Sequence, residues 1–220
     1  MKTLCLVLAL GSSTVVFAQP PVPGRLEASV GGRWSGRELV GSRDATLTQP
    51  DDGRFPFFST TSEEGQAVAV EGRLGARLTG ALQLEVAVSY GRFDLRSRIT
   101  ADAEEIPDVT VSETITQLTV DVGFVEYLRG LAVGRRVVPF VSLGGGLARQ
   151  LHEGRTLVET AGFGYVGGGM ALLMFTRPEA GLKAVGLRVE ARGRFRQGGV
   201  ALDDDVHLSP EAGASIILRF

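Results

Sequence analysis

His207-Leu208-Ser209 sets an imidazole and a hydroxyl on one side of an extended chain, the base and nucleophile of an acyl-transfer hydrolase. Such a pair needs a third group to orient the imidazole. The sole carboxylate after Ser209 is Glu211, two positions on, so the constellation is incomplete and no catalytic residue is expected. His152 stands beside Glu153, far along the chain from His207, and Cys5 is the single cysteine. That set does not make a zinc site, and no metal is expected. Asp51-Asp52, Asp102-Ala103-Glu104-Glu105 and Asp203-Asp204-Asp205 lack the spacing of a calcium loop and read as solvated loop. Gly144-Gly145-Gly146 and Gly167-Gly168-Gly169 have no phosphate-loop lysine, so no nucleotide or other cofactor is implied. Phe55-Pro56-Phe57-Phe58 is the most apolar cluster in a polar stretch, and is expected to fold over a neighbouring opening.

The richest set is charged and spaced by twos. Glu27 and Arg33, then Glu71, Arg73, Arg77 and Glu85, then Asp121, then Arg188, Glu190 and Arg192 are nearly balanced in sign. They share segments with apolar residues at the intervening positions. Leu82, Leu84, Val86, Val88 and Tyr90 oppose Gln83, Glu85, Ala87 and Ser89. The same period of two runs through Leu26–Trp34, Val68–Leu78, Leu118–Phe124, Pro139–Leu147, Val185–Phe195 and Leu208–Phe220. Residues 161–175 also count as a strand, with Phe163 and Tyr165 expected on the apolar face. These are eight strands, linked at roughly 40–65, 79–80, 95–113, 128–136, 149–159, 176–182 and 197–207. Long polar links alternate with shorter ones.

Composition agrees with an all-β chain. The 220 residues carry 44% hydrophobic residues, 22% charged residues and 30 glycines, which serve turns and crowded sheets better than helices. The formal charge of −2 argues against a nucleic-acid partner, which would need a basic excess. Met1-Lys2-Thr3, the apolar Leu4–Leu10 and the small residues before Gln19 read as a secretory leader cleaved after Ala18. Cleavage removes Lys2 and Cys5, taking the charge to −3 and leaving one domain over 19–220. The longest weakly polar stretch, 164–175, falls short of the ~20 residues a helix needs to cross a bilayer. A membrane location therefore requires a closed barrel, in which every backbone group is paired.

Two all-β arrangements compete, and charge placement separates them. A soluble barrel turns its apolar face inward; a transmembrane barrel turns it to lipid and fills its interior with polar groups. The polar faces here hold glycine, serine, alanine and a few large balanced charges, as a narrow filled lumen requires. Trp34, Tyr90, Phe163 and Phe195 near the long-loop ends, and Phe124, Tyr127, Phe175 and Phe220 near the turn ends, read as two interfacial girdles. The fold expected is an eight-stranded antiparallel up-and-down transmembrane β-barrel.

The C-terminal run 212–220, with Ala214, Ile216, Leu218 and Phe220 at alternate positions, resembles the signal by which the barrel-assembly machinery recognises its substrates. That run, Val137–Leu147 and Gly186–Arg192 together resemble the small OmpA-like outer-membrane β-barrel families. The resemblance implies an exported cell outer-membrane protein, monomeric, in contact with outer-membrane lipid and lipopolysaccharide, with a structural or interaction role or a narrow passive pore. The chain stops at the barrel, so no peptidoglycan-binding domain is implied. Three alternatives stand beside it: a transporter of a small hydrophobic ligand, a lipid A modifying hydrolase, and a soluble periplasmic lipocalin-like carrier. Lipid A deacylases carry a His-x-Ser similar to His207-Leu208-Ser209, but with a more distant orienting glutamate that is missing here.

Overall fold

In a computed structural model, described over residues 24–48, 54–100, 108–134, 136–153, 156–177, 179–201 and 205–220, the chain is a ring of antiparallel strands. The segments are β1 (Leu26–Ser35), β2 (Glu38–Thr48), β3 (Arg54–Glu64), β4 (Ala67–Arg77), β5 (Leu82–Thr100), β6 (Val109–Tyr127), β7 (Val137–His152), β8 (Val158–Thr176), β9 (Ala184–Gly198) and β10 (His207–Arg219). β1 pairs with β10 and β4, and a β5–β6 ladder completes the ring. β1 and β2 are two parts of one stave, as are β3 and β4. The result is a closed eight-stranded up-and-down barrel. The leader over 1–18, and the acidic residues at 51–52, 102–105 and 203–204, lie outside the described residues.

Residues 40–65, expected as a loop, are a correction: β2 and β3 form a hairpin that lengthens the wall, and β3 continues onto β5 from Glu64↔Leu95 to Ser59↔Thr100. The two broken staves explain why the alternation hid it. Across β3–β4, Glu64 pairs with Leu95 and Val68 with Arg92, so four steps on one strand face three on the other. One extra residue is a bulge, and it exchanges the inward and outward faces. Arg33 points inward below the break; Glu38 and Val40 do so above it. The stretches 95–113 and 149–159 are also mostly strand, since β5 runs to Thr100 and β7 to His152. Phe55 and Phe57 lie on β3, their side chains outside those described.

The outer face shows why long strands read as loops. On β5 it is Val86, Val88 and Tyr90, then Arg92, Asp94, Arg96 and Arg98, all exposed. The first nine residues of a 19-residue strand therefore carry the apolar belt, matching the roughly 9–11 residues a tilted strand needs to cross a bilayer. The remainder is solvated on its outer face. The belt continues around the ring through Val30, Leu74, Val120, Leu143, Met170, Val189 and Ile216, each at least two-fifths exposed. This is the reverse of a lipocalin-like carrier.

Inside, the lumen is layered. At the short-turn end Val125, Tyr127, Val138, Phe140, Leu173 and Ile217 make an apolar floor. At the other end Phe93, Ile115 and Val200 make a small apolar cap. Gly198 and Gly199, at φ +81° and +76°, turn the β9–β10 link inward. This left-handed backbone favours glycine. Val200 is thereby buried, its N–H donating to Gln150 Oε1 at 3.1 Å.

Candidate functional site

Between floor and cap, eight buried carboxylates face seven buried guanidiniums among the described residues. The inward positions of β9 carry Arg188, Glu190, Arg192, Arg194 and Arg196 on one file, because strand side chains repeat every second residue. Carboxylates reach them from across the lumen. Arg188 Nη1 lies 2.5 Å from Glu85 Oε1, and its Nη2 lies 3.3 Å from Glu190 Oε2. Arg73 bridges Glu190 at 2.7 Å, Glu85 at 3.6 Å and Glu71 on its own strand. Glu71 also pairs with Arg33. Glu211 accepts from Arg192 at 2.5 Å and lies 3.1 Å from Arg194. At the upper end Arg196 meets Glu64 at 2.5 Å and Glu38 at 3.6 Å. At the lower end Arg219 Nε donates to Glu27 at 2.7 Å.

The aromatic rings supply the other faces of these cations. Arg188 Cζ lies 4.3 Å from the Phe140 centroid and Arg192 Cζ 4.3 Å from that of Tyr165, with Arg194 over Phe163 and Arg219 over Tyr127. Phe163, Tyr165 and Tyr127 therefore point into the lumen, correcting their expected place on the apolar face and in the girdles. Rings that can stack on buried guanidiniums are better placed inside than at a lipid surface. Opposing glycines make room: a Cβ on Gly144 would fall 2.6 Å from Tyr165 Oη. Trp34, Tyr90 and Phe195 at one end, and Phe124, Phe175 and Phe220 at the other, do face outward.

Of the charges nominated from sequence, Glu71, Arg73, Glu85, Arg188, Glu190 and Arg192 come together with Glu27 and Arg33. Asp121 joins through the Tyr165 hydroxyl, which donates to it at 3.4 Å. Arg77 lies at the short-turn mouth, its Nη1 donating to the Gly24 carbonyl at 3.1 Å and its Cζ 5.7 Å from the Tyr127 centroid. Glu38, Glu64, Arg194, Arg196, Glu211 and Arg219 join them from outside the set that the sequence spacing marks. The last four could have been found by extending the inward parity of β9 and β10. Glu38 and Glu64 could not, because the bulge reverses parity before they are reached. The apolar floor had one signal, Ile216-Ile217-Leu218, where both faces are apolar at once. Above the belt, burial and then Glu38 beside it push the Glu64 carboxyl above its ordinary value despite Arg196 and Arg194.

The described side chains around Arg33 and Arg194 leave little empty space. The void bordered by Arg33, Phe93, Arg194 and Glu211 is about 20 Å³, on the order of one water. Ser209 is fully buried and His207 shares its inward face, but Glu211 is committed to Arg192 and Arg194. Ala214, Ile216 and Phe220 face outward, Leu218 is half-buried, and β10 is laddered on both edges.

No family model matches the chain, and no curated protein matches its sequence. Solved structures do match. Neisserial surface protein A aligns at TM-score 0.50 and 14% identity, over 88% of this chain and 97% of that one. The outer membrane protein OprG of Pseudomonas aeruginosa aligns at TM-score 0.48 and 10% identity, over 89% and 94%. At such identity the likeness is one of fold, that of the small outer-membrane barrels.

Proposed function

We propose that this chain is an integral outer-membrane protein, exported by its leader, whose barrel is closed by its own charges and does structural or interaction work. The observation that carries the reading is the inversion of faces: large apolar side chains ring the outside while guanidiniums and carboxylates fill the inside. In water that arrangement would expose apolar surface far beyond what a soluble monomer carries. In a bilayer it puts each group where its solvation is best. The wall extension above the belt, with Arg92, Asp94, Arg96 and Arg98 outward on β5, then stands clear of the membrane as a surface for lipopolysaccharide or a partner. The last strand is the handle for the barrel-assembly machinery, and no step of catalysis is assigned to any residue.

Heat-modifiability tests the location. The chain refolded into detergent micelles should run as a faster band unboiled than boiled, and solubility in plain buffer with no band shift would sink the reading. Planar-bilayer recording tests the closure. The expected result is no stable conductance, because the charged layer is capped at both ends; a steady open level would replace the closed barrel with a narrow pore.

A further inference from the structure

At the short-turn mouth, below the apolar floor, lies a second charged feature of opposite character to the lumen. A cleft of about 520 Å³ is bordered by Arg25, Arg77, Arg129 and Lys183, with the β4–β5 turn Leu78–Gly80 as its wall. Among the described residues no acidic side chain borders it. Glu27, the acid above it, is committed to Arg219. The main-chain oxygen of Phe220, the last residue of the sequence, is taken up by the N–H groups of Arg25 and Leu26. Arg129 lies across the turn, with Nη1 3.3 Å from where a Gly80 Cβ would stand, and its Nε is a buried donor without a hydrogen-bond partner among the described residues. Burial, and then Arg219 nearby, hold the Arg129 guanidinium below the ordinary arginine value. Like charges are being held together where an anion would relieve them.

We infer that this cleft binds a phosphate group, the ligand whose oxygens match several convergent guanidinium and ammonium donors. Its position at the level of the outward Phe124 and Phe220 is that of a lipid headgroup, although a free phosphate ester offers the same oxygens. The lipid source rests on the outer-membrane reading; the phosphate chemistry does not.

The test uses the refolded chain in detergent micelles, with native mass spectrometry against phosphatidylglycerol and phosphatidylcholine and calorimetry against inorganic phosphate. Phosphatidylglycerol should be retained about tenfold over phosphatidylcholine, whose choline cancels the phosphate charge, and Arg25→Gln with Lys183→Gln should remove that preference. Both positions are outside the lumen network, and an unchanged heat shift verifies that the variant folds. Displacement by inorganic phosphate assigns the site to the phosphate group whatever carries it, and retention against phosphate assigns it to the lipid headgroup. Equal retention of the two lipids with no heat from phosphate overturns the inference. So does an equal loss in Arg96→Gln with Arg98→Gln at the far end, which would make the effect one of diffuse charge. A chain that shows no heat shift at all fails the outer-membrane reading instead, and the two failures are distinguishable on one gel.

Discussion

The belt and the wall extension are built from the same antiparallel ladders yet obey opposite surface rules. In the belt, from Leu82 to Tyr90 on β5, the outer face is apolar and the inner face polar. In the extension, from Arg92 to Thr100, the outer face is charged while Phe93 points inward onto Ile115. The ladder is continuous across the change, with β5 paired to β6 from Leu82↔Glu126 to Ile99↔Val109. Backbone hydrogen bonding therefore does not decide the pattern. On the outer-membrane reading the solvent outside does, and the strand marks where lipid gives way to water.

The sharpest way to break the comparison is to remove a cation from the belt's interior. Arg188→Met takes from the buried Glu85 its nearer cation and leaves it only Arg73 at 3.6 Å and the Gln83 amide, and should cost about 3–5 kcal/mol in urea unfolding from vesicles. Adding Glu85→Leu should restore part of that loss. A cost below about 1 kcal/mol would mean the network contributes little. Next comes the outer face. Val88→Lys in the belt should cost about 2–4 kcal/mol, whereas Thr114→Lys in the extension, opposite Asp94, should stay within about 0.5 kcal/mol. Equal costs at the two sites would abolish the distinction between lipid and water.

The cap gives a smaller effect. Gly199→Ala forces a side chain onto a left-handed backbone beside Gln150, and should cost about 1–2 kcal/mol. It should also speed hydrogen exchange at the Val200 amide, while exchange in the floor, at Val125, stays as it was. The smallest effect is one of slope. Glu64 has a folded pKa above its unfolded value, so the stability it contributes is fully present below the unfolded value and is lost as pH rises through the folded one. Glu64→Gln should flatten the stability curve above pH 4.5, the ordinary carboxylate value. An unchanged slope would show that Arg194 and Arg196 compensate the buried carboxylate completely.

Much of the belt could be read from spacing. Val86, Val88 and Tyr90 against Glu85, Ala87 and Ser89 fix the period, and the balance of Glu71, Arg73, Arg188 and Glu190 marks their faces as a filled interior. The extension could not be read that way. Once the outer face is solvated, Arg92, Asp94, Arg96 and Arg98 look like loop, and at Gly65-Gln66 the extra residue reverses parity. The places of the rings are hidden from the sequence for a related reason. Phe163 and Tyr127 are apolar enough for lipid, and only the guanidiniums opposite them, from β9 and β10, make the lumen the better site.

Sequence by itself determined the period, the number of staves, the inversion of faces and the charge balance of the lumen, because each is a local property of alternation and composition. Tertiary structure decided which carboxylate meets which arginine, which aromatic ring covers which guanidinium, and how four cations, from just before β1, from β4, from the β6–β7 turn and from the β8–β9 turn, converge below the floor. Those outcomes depend on barrel closure, which brings Arg219 beside Glu27, 192 residues apart, and no spacing along one strand encodes the distance across a ring.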